Sequence, residues 1–281
     1  MKKLLALLLC LLMILSVSAC SKKTDDTTNN DSQDDTADVD PNAKSEGVMT
    51  YAEYATVPSD GSTEVTIEAY VQGSQSYWNG ASMYLQDQDG GYFVYNLGDG
   101  AIVNIDEENF AKCIDVTDPY FGLGKGTKVK VTGYKSEWSG EVEIADAKIE
   151  VLADAPTWTA EATEVTNLLG KDELIDYQNQ KVKFIGLEVA PSYDKDGNEC
   201  AFLYNYDGSG EPGSNSDLYF NVLYNGQEYN FCVESYLAYE GTDVYKTVES
   251  LNVGDYIDCE AFLYWYNGAN PHVYNVSVNA K

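Results

Sequence analysis

The sequence predicts a mainly all-β chain with two tandem five-stranded barrels, and three observations carry that expectation. The chain matches itself: "VTIEAYV" from Val65 parallels "VKFIGLEV" from Val182, and "SMYLQDQDG" from Ser82 parallels "CAFLYNYDG" from Cys200. "GTKVKVTGYKSEWSG" from Gly126 likewise parallels "GDYIDCEAFLYWYNG" from Gly254, so the offsets are 117, 118 and 128 residues. Within each copy apolar and polar residues alternate, the pattern of a half-buried strand. One helical stretch interrupts the strands at the same place in both copies. Two copies do not make a solenoid, because so few repeats cannot stack into a shared core.

Each element has its own warrant. Val65, Ile67, Ala69 and Val71 alternate with Thr66, Glu68 and Tyr70 in the first strand of copy one. In copy two the phase slips at Gly186, between Phe184 and Leu187, which predicts a bulge. In the second strands, Met83 and Leu85 inward turn Tyr84 outward, and Ala201 and Leu203 inward turn Phe202 and Tyr204 outward. Phe110, Cys113 and Ile114 form one helical stripe, and Val244, Tyr245, Val248 and Leu251 the other. Val129 and Val131, then Ile257 and Cys259, take the inward places of the fourth strands. Copy two adds "SDLYFNVLYNGQEYNFCVES" with its own Asn225-Gly226 turn, which leaves its third strand open.

Strand, strand, strand, helix, strand, strand is the order of the OB-fold barrel. "GTKVKVTGY" and "VGDYIDCEAF" resemble the fourth strand of OB-like domains in secreted and lipid-anchored bacterial proteins, and the helical lead-ins "MTYAEYATV" and "TNLLGKDELIDY" fit that family. A β-sandwich or one continuous barrel are the alternatives. The expected domains are 48–153 and 154–281, each OB-like, with one short helix between strands three and four.

The N-terminus points to export. Lys2 and Lys3 precede an apolar run from Leu4 to Val17, shorter than a bilayer span and suited to a secretion signal. Val17-Ser18-Ala19-Cys20 resembles a bacterial lipobox, which implies cleavage of residues 1–19 and a diacylglyceryl group on the Cys20 sulfur. The resemblance implies a cell-membrane protein, lipid-anchored and facing the extracytoplasmic side. Residues 20–47 hold almost nothing to bury, so they are expected to form a disordered acidic tether with a reach of about 25–30 Å.

Charge narrows the partners. All 17 basic residues are lysine, 46 residues are acidic, and the formal net charge is −29. Nucleic-acid binding draws on clustered positive charge and bidentate arginine, so a nucleic-acid partner is disfavoured. Lys125, Lys128, Lys130 and Lys135 are the one local cluster that opposes this reading.

Aromatic residues mark the expected site. An aromatic followed by Asn or Ser and Gly recurs at Trp78, Trp138, Tyr224 and Tyr266. On the OB reading Trp78 lies in the loop between strands one and two, and Trp138 and Tyr266 lie between strands four and five, beside the usual OB ligand face. "LYWYNGANPH" (263–272) reads as a two-residue Asn-Gly hairpin tip carrying three consecutive aromatics. The candidate ligand-binding residues are Trp78, Tyr84, Trp138, Phe202, Tyr204, Tyr264, Trp265, Tyr266, Asn270 and His272. Flat aromatic faces suit sugar rings and bases alike, whereas cross-strand aromatic pairing is the structural alternative.

Catalysis, cofactors and metals find no support. His272 is the only histidine and has no serine or cysteine motif beside it. No CxxC is present, and "DQDGG" and "DKDGNE" lack EF-hand spacing and read as Asp-Gly turns. Cys113, Cys200, Cys232 and Cys259 could pair in three ways, but the positions of Cys113 and Cys259 suit small core hydrophobes. The sequence thus predicts a non-catalytic binding module for a glycan or wall-associated ligand. A protein-interaction subunit at the cell surface is the alternative, and single-stranded nucleic acid comes third by analogy of fold. Cys20→Ala is expected to abolish radiolabelled-lipid incorporation and release the chain from membranes or leave it unprocessed; unchanged labelling would defeat the anchor.

Overall fold

The computed structural model describes residues 40, 42–77, 80–98, 101–103, 108–109, 113–114 and 123–280. Its first long strand, β1 (Glu64–Tyr77), buries Val65, Ile67, Ala69 and Val71 as the alternation requires. β2 (Gly80–Gln86), β3 (Gly91–Leu97), a two-residue β4 (Ile102–Val103), β5 (Lys128–Trp138) and β6 (Glu141–Val151) complete the first sheet. The order is β3-β2-β1-β5-β6, and a parallel β3–β6 pairing at Phe93/Glu143 and Val94/Ile144 closes the barrel. β4 adds on beside β6. Inside lie Val65, Ile67, Leu85, Val129, Val131, Ile144 and Ile149.

The second sheet contains β7 (Thr163–Glu164), β8 (Lys181–Ala190), β11 (Leu203–Tyr204), β12 (Leu218–Tyr224), β13 (Gln227–Val233), β14 (Tyr256–Phe262) and β15 (His272–Val278). Two-residue strands β9 (Ser192–Tyr193) and β10 (Glu199–Cys200) pair separately. Five strands in the order β12-β13-β15-β14-β8 close through antiparallel β12–β8, with β13 parallel to β15. The chain is therefore two tandem OB-fold-like barrels. At the expected slip, Ile257/Leu187 and Cys259/Phe184 pair with one extra residue on β8, and Gly186 takes φ +69° there.

Short helices cap the barrels. α1 (Tyr51–Thr56) starts in a capping box: Thr50 Oγ1 accepts from Glu53 N at 3.2 Å, and Glu53 accepts from Thr50 N at 2.8 Å. Its last turn is closed by buried Lys135, whose Nζ donates to the carbonyls of Tyr54 (2.9 Å) and Val57 (2.8 Å). In the second copy the lead-in is a pair of 3₁₀ turns, Thr166–Leu168 and Asp172–Tyr177. α2 (Asp243–Glu249) lies between β13 and β14 and buries Val244, Tyr245 and Val248, with Leu251 just beyond. Phe110 of the first copy's stripe lies outside the described residues, while Cys113 packs on the first core.

The structure departs from the sequence reading in three places. The second strand of barrel two is β12, not residues 200–204, so the apparent insertion around Asn225-Gly226 is the β12–β13 hairpin of the barrel itself. Residues 42–47 lie on barrel one instead of trailing free: Lys44 Nζ reaches Asp87 Oδ2 at 2.6 Å, and Ser45 N reaches Glu68 Oε2 at 3.3 Å. The lysine cluster is not an open patch, because Lys135 is buried and Lys128 pairs with Glu68 at 3.4 Å. "DQDGG" and "DKDGNE" are turns in which Asp87 Oδ1 accepts from Asp89 and Gly90, and Asp194 Oδ1 from Asp196 and Asn198. Cys200, Cys232 and Cys259 are free thiols.

The outer face of β2 and of the first half of β3 is covered, while Tyr95 further along β3 is 49% exposed. Tyr84 and Phe93 form a small apolar cluster with Phe262 of β14, and the rings of Tyr84 and Phe262 stack at 4.3 Å and 3°. Close backbone approach needs glycine here: a Cβ on Gly73 would stand 2.7 Å from the Phe262 ring, and one on Gly91 2.5 Å from the Asn179 backbone. Among the described residues no helix is long and apolar enough to cross a membrane. Phe262→Ala removes the buried ring that joins the barrels and is expected to lower stability by about 3–5 kcal/mol. Chemical denaturation measures this, and a loss below about 1 kcal/mol would show the seam to be dispensable.

Candidate functional site

Two loops meet where the barrels touch. The β5–β6 tip is a two-residue turn, with Ser139 at φ +53° and Gly140 at φ +90°. Facing it is the β14–β15 loop, residues 263–271. That loop is wider than the expected two-residue hairpin: a bridge joins Trp265 to Ala269, and Asn270 N donates to the Tyr264 carbonyl at 2.9 Å. Asn267 N then donates to the Ser139 carbonyl at 2.7 Å, so the tips are bonded to each other.

The three consecutive aromatics take three destinations. Tyr264 turns into the seam, stacked on His272 at 4.4 Å and edge-on to Phe93 at 5.5 Å. Trp265 packs partly against the core of barrel two and presses on Gly140, where a Cβ would lie 2.7 Å from its ring. Tyr266 points outward and meets Trp138 of the other barrel, ring centroids 5.1 Å apart. Trp138 and Tyr266 are 54% and 51% exposed, so this pair presents open aromatic surface.

Beside the pair lies a cleft of about 590 Å³, bounded by the β5–β6 tip, the 3₁₀ turns of barrel two and Trp265. Trp265, Tyr229 and Ile175 supply apolar wall, and Glu137, Lys171 and Gln178 supply polar groups. This mixture of apolar body and few polar contacts is the usual make-up of a small-ligand pocket.

Under the cleft sits a group that alternation alone disguises. Glu141, fully buried, opens β6 directly after the tip. Its Oε2 accepts from Trp265 N at 2.9 Å and from Gln178 Nε2 at 3.1 Å, and Gln178 also donates to the Gly140 carbonyl at 2.8 Å. Asn179 Nδ2 donates to the Val142 carbonyl at 3.0 Å. Burial pushes the Glu141 carboxyl up to about 8, against the hydrogen bonds that favour its charged form. A glutamate in an alternating strand reads as a solvent-facing residue, so no signal in the sequence marks it.

Several expected site residues belong to the structure instead. Tyr84 does point away from its own core, but barrel two covers it. His272 is buried too, and its Nδ1 accepts from the Tyr84 hydroxyl at 2.9 Å and from Gln75 Nε2 at 3.1 Å. Burial drives its pKa down to about 3, so the ring is neutral and offers no exposed contact. Phe202 and Tyr204 lie edge to face at 5.3 Å against the core of barrel two, and Tyr204 donates to Glu249 of α2 at 2.8 Å. Asn270 ends a ladder of amides across β12 and β13, with Asn230 Nδ2 donating to Asn221 at 2.9 Å and Asn270 Nδ2 to Asn230 at 3.5 Å. Trp78 and Cys20 lie outside the described residues. The structure thus brings together Trp138, Trp265 and Tyr266 at the tips, gathers Tyr84, Tyr264 and His272 in the seam, and leaves Phe202, Tyr204 and Asn270 elsewhere on barrel two.

No protein-family model matches the chain, and no curated protein matches it. Among solved structures, the Ifi202 HINa domain in complex with 20 bp dsDNA superposes with a TM-score of 0.30 at 8% identity, covering 77% of this chain and 98% of that one. A murine DNA-binding protein bound with dsDNA gives 0.32 at 9% identity, covering 76% and 97%. The tetrameric p202 HIN2 gives 0.23 at 7% identity, covering 79% and 96%. Superpositions this loose say nothing about a ligand of this chain.

Glu141 yields a pH test. Folded, it holds its proton up to about pH 8, whereas unfolded it releases it near the ordinary value of 4.5. Its contribution to stability is therefore full below about pH 4.5 and lost as pH rises through about 8. Glu141→Gln should raise the melting temperature relative to the parent at pH 8–9 and flatten the decline between about pH 5 and 8. Glu234, raised in the same direction by burial and then by Asp217, retains its own slope in both proteins. Identical pH profiles for parent and variant would remove Glu141 from this role.

Proposed function

We propose that the chain is a lipid-anchored, extracytoplasmic, non-catalytic binding module that holds an uncharged glycan or wall-associated polymer at the joined tips of its two barrels. The observation that carries this reading is the exposed Trp138–Tyr266 pair, contributed by different barrels and fixed beside the cleft of Trp265. Sugar rings lie flat on such faces, and Gln178, Glu137 and Lys171 offer hydroxyl contacts of mixed sign. The N-terminal lipobox supports the anchor, and the acidic tether supports a folded part held clear of headgroups.

Nucleic acid is the competing ligand, by analogy of fold. The charge of this chain argues against it. Phosphate binding is driven by counterion release from several lysines or arginines on one surface. Here Lys135 is buried against carbonyls and Lys128 is tied to Glu68, so two of the four clustered lysines are already engaged.

The test is a glycan array probed with the full chain, beside single- and double-stranded DNA at about 150 mM salt. Trp138→Ala and Tyr266→Ala should each weaken the glycan selected by the array about tenfold while shifting stability by no more than about 0.5 kcal/mol. Glycan binding indifferent to both changes would sink the tip site. Micromolar DNA binding that falls steeply with salt would put nucleic acid in place of the glycan.

A further inference from the structure

The geometry points to a second ligand site, a cleft between the barrels walled by tyrosines and sized for one or two uncharged sugar rings. It shares no residue with the cleft at the tips. It rests on the glycan-binding reading only for the class of ligand.

The cleft begins where β1 changes register. Pairing of β1 with β2 slips between Val71 and Gly73, and Gly73 lets the Phe262 ring approach. The next residue, Ser74, lines the cleft with a shielded hydroxyl that has no hydrogen-bond partner. A buried hydroxyl left unpaired is unfavourable. The volume is about 320 Å³, at the small end of ligand pockets.

The opposite wall comes from barrel two. Tyr236 and Tyr239 stand exposed on the segment between β13 and α2, and Tyr274 of β15 completes the aromatic wall. Tyr274 is held from behind by Phe262, ring centroids 4.9 Å apart, so its face is fixed. Asn275 adds an amide at the rim. Leu123, Leu237, Ala238 and Val244 give the cleft an apolar floor, and to these it adds flat rings, hydroxyls and an amide, the groups that recognise a polyhydroxylated ring.

Charge fixes the ligand as neutral. Lys125 and Asp243 both line the cleft, so neither sign dominates. Lys125 and Lys181 lie 5.9 and 5.6 Å from the Tyr274 centroid, but Lys181 Nζ is engaged with the Ala160 carbonyl at 2.6 Å. An anionic sugar would find one available lysine in a chain of net charge −29.

The experiment is saturation-transfer NMR and calorimetry on the full chain with glucose, galactose, N-acetylglucosamine and their β-1,4-linked disaccharides. At least one should bind with a dissociation constant in the range of about 0.1–10 mM, as expected for so few contact atoms. Tyr239→Ala and Asn275→Ala, both at the accessible rim, should weaken that sugar about fivefold or more, and Ser74→Leu should block it. Tyr206→Ala, at an exposed ring that lines neither cleft, should leave it unchanged. Absence of binding by every sugar at about 50 mM would overturn the site. So would a sugar indifferent to Tyr239→Ala, because it would be seated elsewhere. If glycan-array binding proves insensitive to Trp138→Ala while a panel sugar still responds to Tyr239→Ala, the tip reading fails and this site stands.

Discussion

The parallel stack of Tyr84 on Phe262 is the contact on which the rest of the arrangement depends. It joins the outer face of one barrel to a strand of the other, and buried aromatic pairs contribute roughly 0.5–1.5 kcal/mol beyond the apolar area they remove from water. Around it, Tyr264 and Phe93 extend the apolar seam, and the Tyr84 hydroxyl finds His272 instead of being left unpaired. Gly73 and Gly91 allow the approach because any side chain there would strike the other barrel. Most of the β2–β3 face, where an OB-fold ordinarily takes a ligand, is therefore covered in barrel one.

Closing that face moves exposed aromatic surface to the edges of the seam. Anchoring Phe262 and Tyr264 sets the path of the 263–271 loop, and that path delivers Tyr266 to Trp138. The polar side of the same junction is built without a cation: Glu141 binds the Trp265 amide and Gln178 from within a fully buried position. A charged carboxylate there would lack a counter-ion, which is why burial outweighs its hydrogen bonds and the proton stays on. The clasp beneath the tip cleft is thus tightest in acid, the direction in which this strongly acidic chain loses net charge.

The barrels were legible in the sequence because their signal is local. Alternation in Val65–Val71, the slip at Gly186 and the stripe of Val244, Tyr245 and Val248 each follow from a few adjacent residues, and the duplication supplied the order. Copy two misled where two alternating segments competed for one strand. "CAFLYNYDG" aligns better with the first copy, yet "DLYFNVLYN" has the length to pair on both sides. The outward direction of Tyr84 was likewise readable, but what covers it was not. Coverage depends on a ring 178 positions away in the chain, and neither propensity nor period carries that information. Glu141 and His272 show the same limit: both look polar and solvent-facing locally, and both are buried by the other barrel.

Both clefts are composite, and this bears on why the domains are duplicated. The tip cleft needs Glu137 and Gly140 from barrel one and Trp265 and Gln178 from barrel two. The tyrosine cleft needs Ser74 and Lys125 from the first and Tyr239 and Tyr274 from the second. Neither barrel holds a complete wall of either. Duplication alone would give two like faces that bind like ligands independently. Here one face is buried to orient the copies, and the edges of that burial create surfaces that a single barrel does not possess. Any ligand of either cleft would then favour the docked arrangement over a separated one, because only the docked state offers both walls.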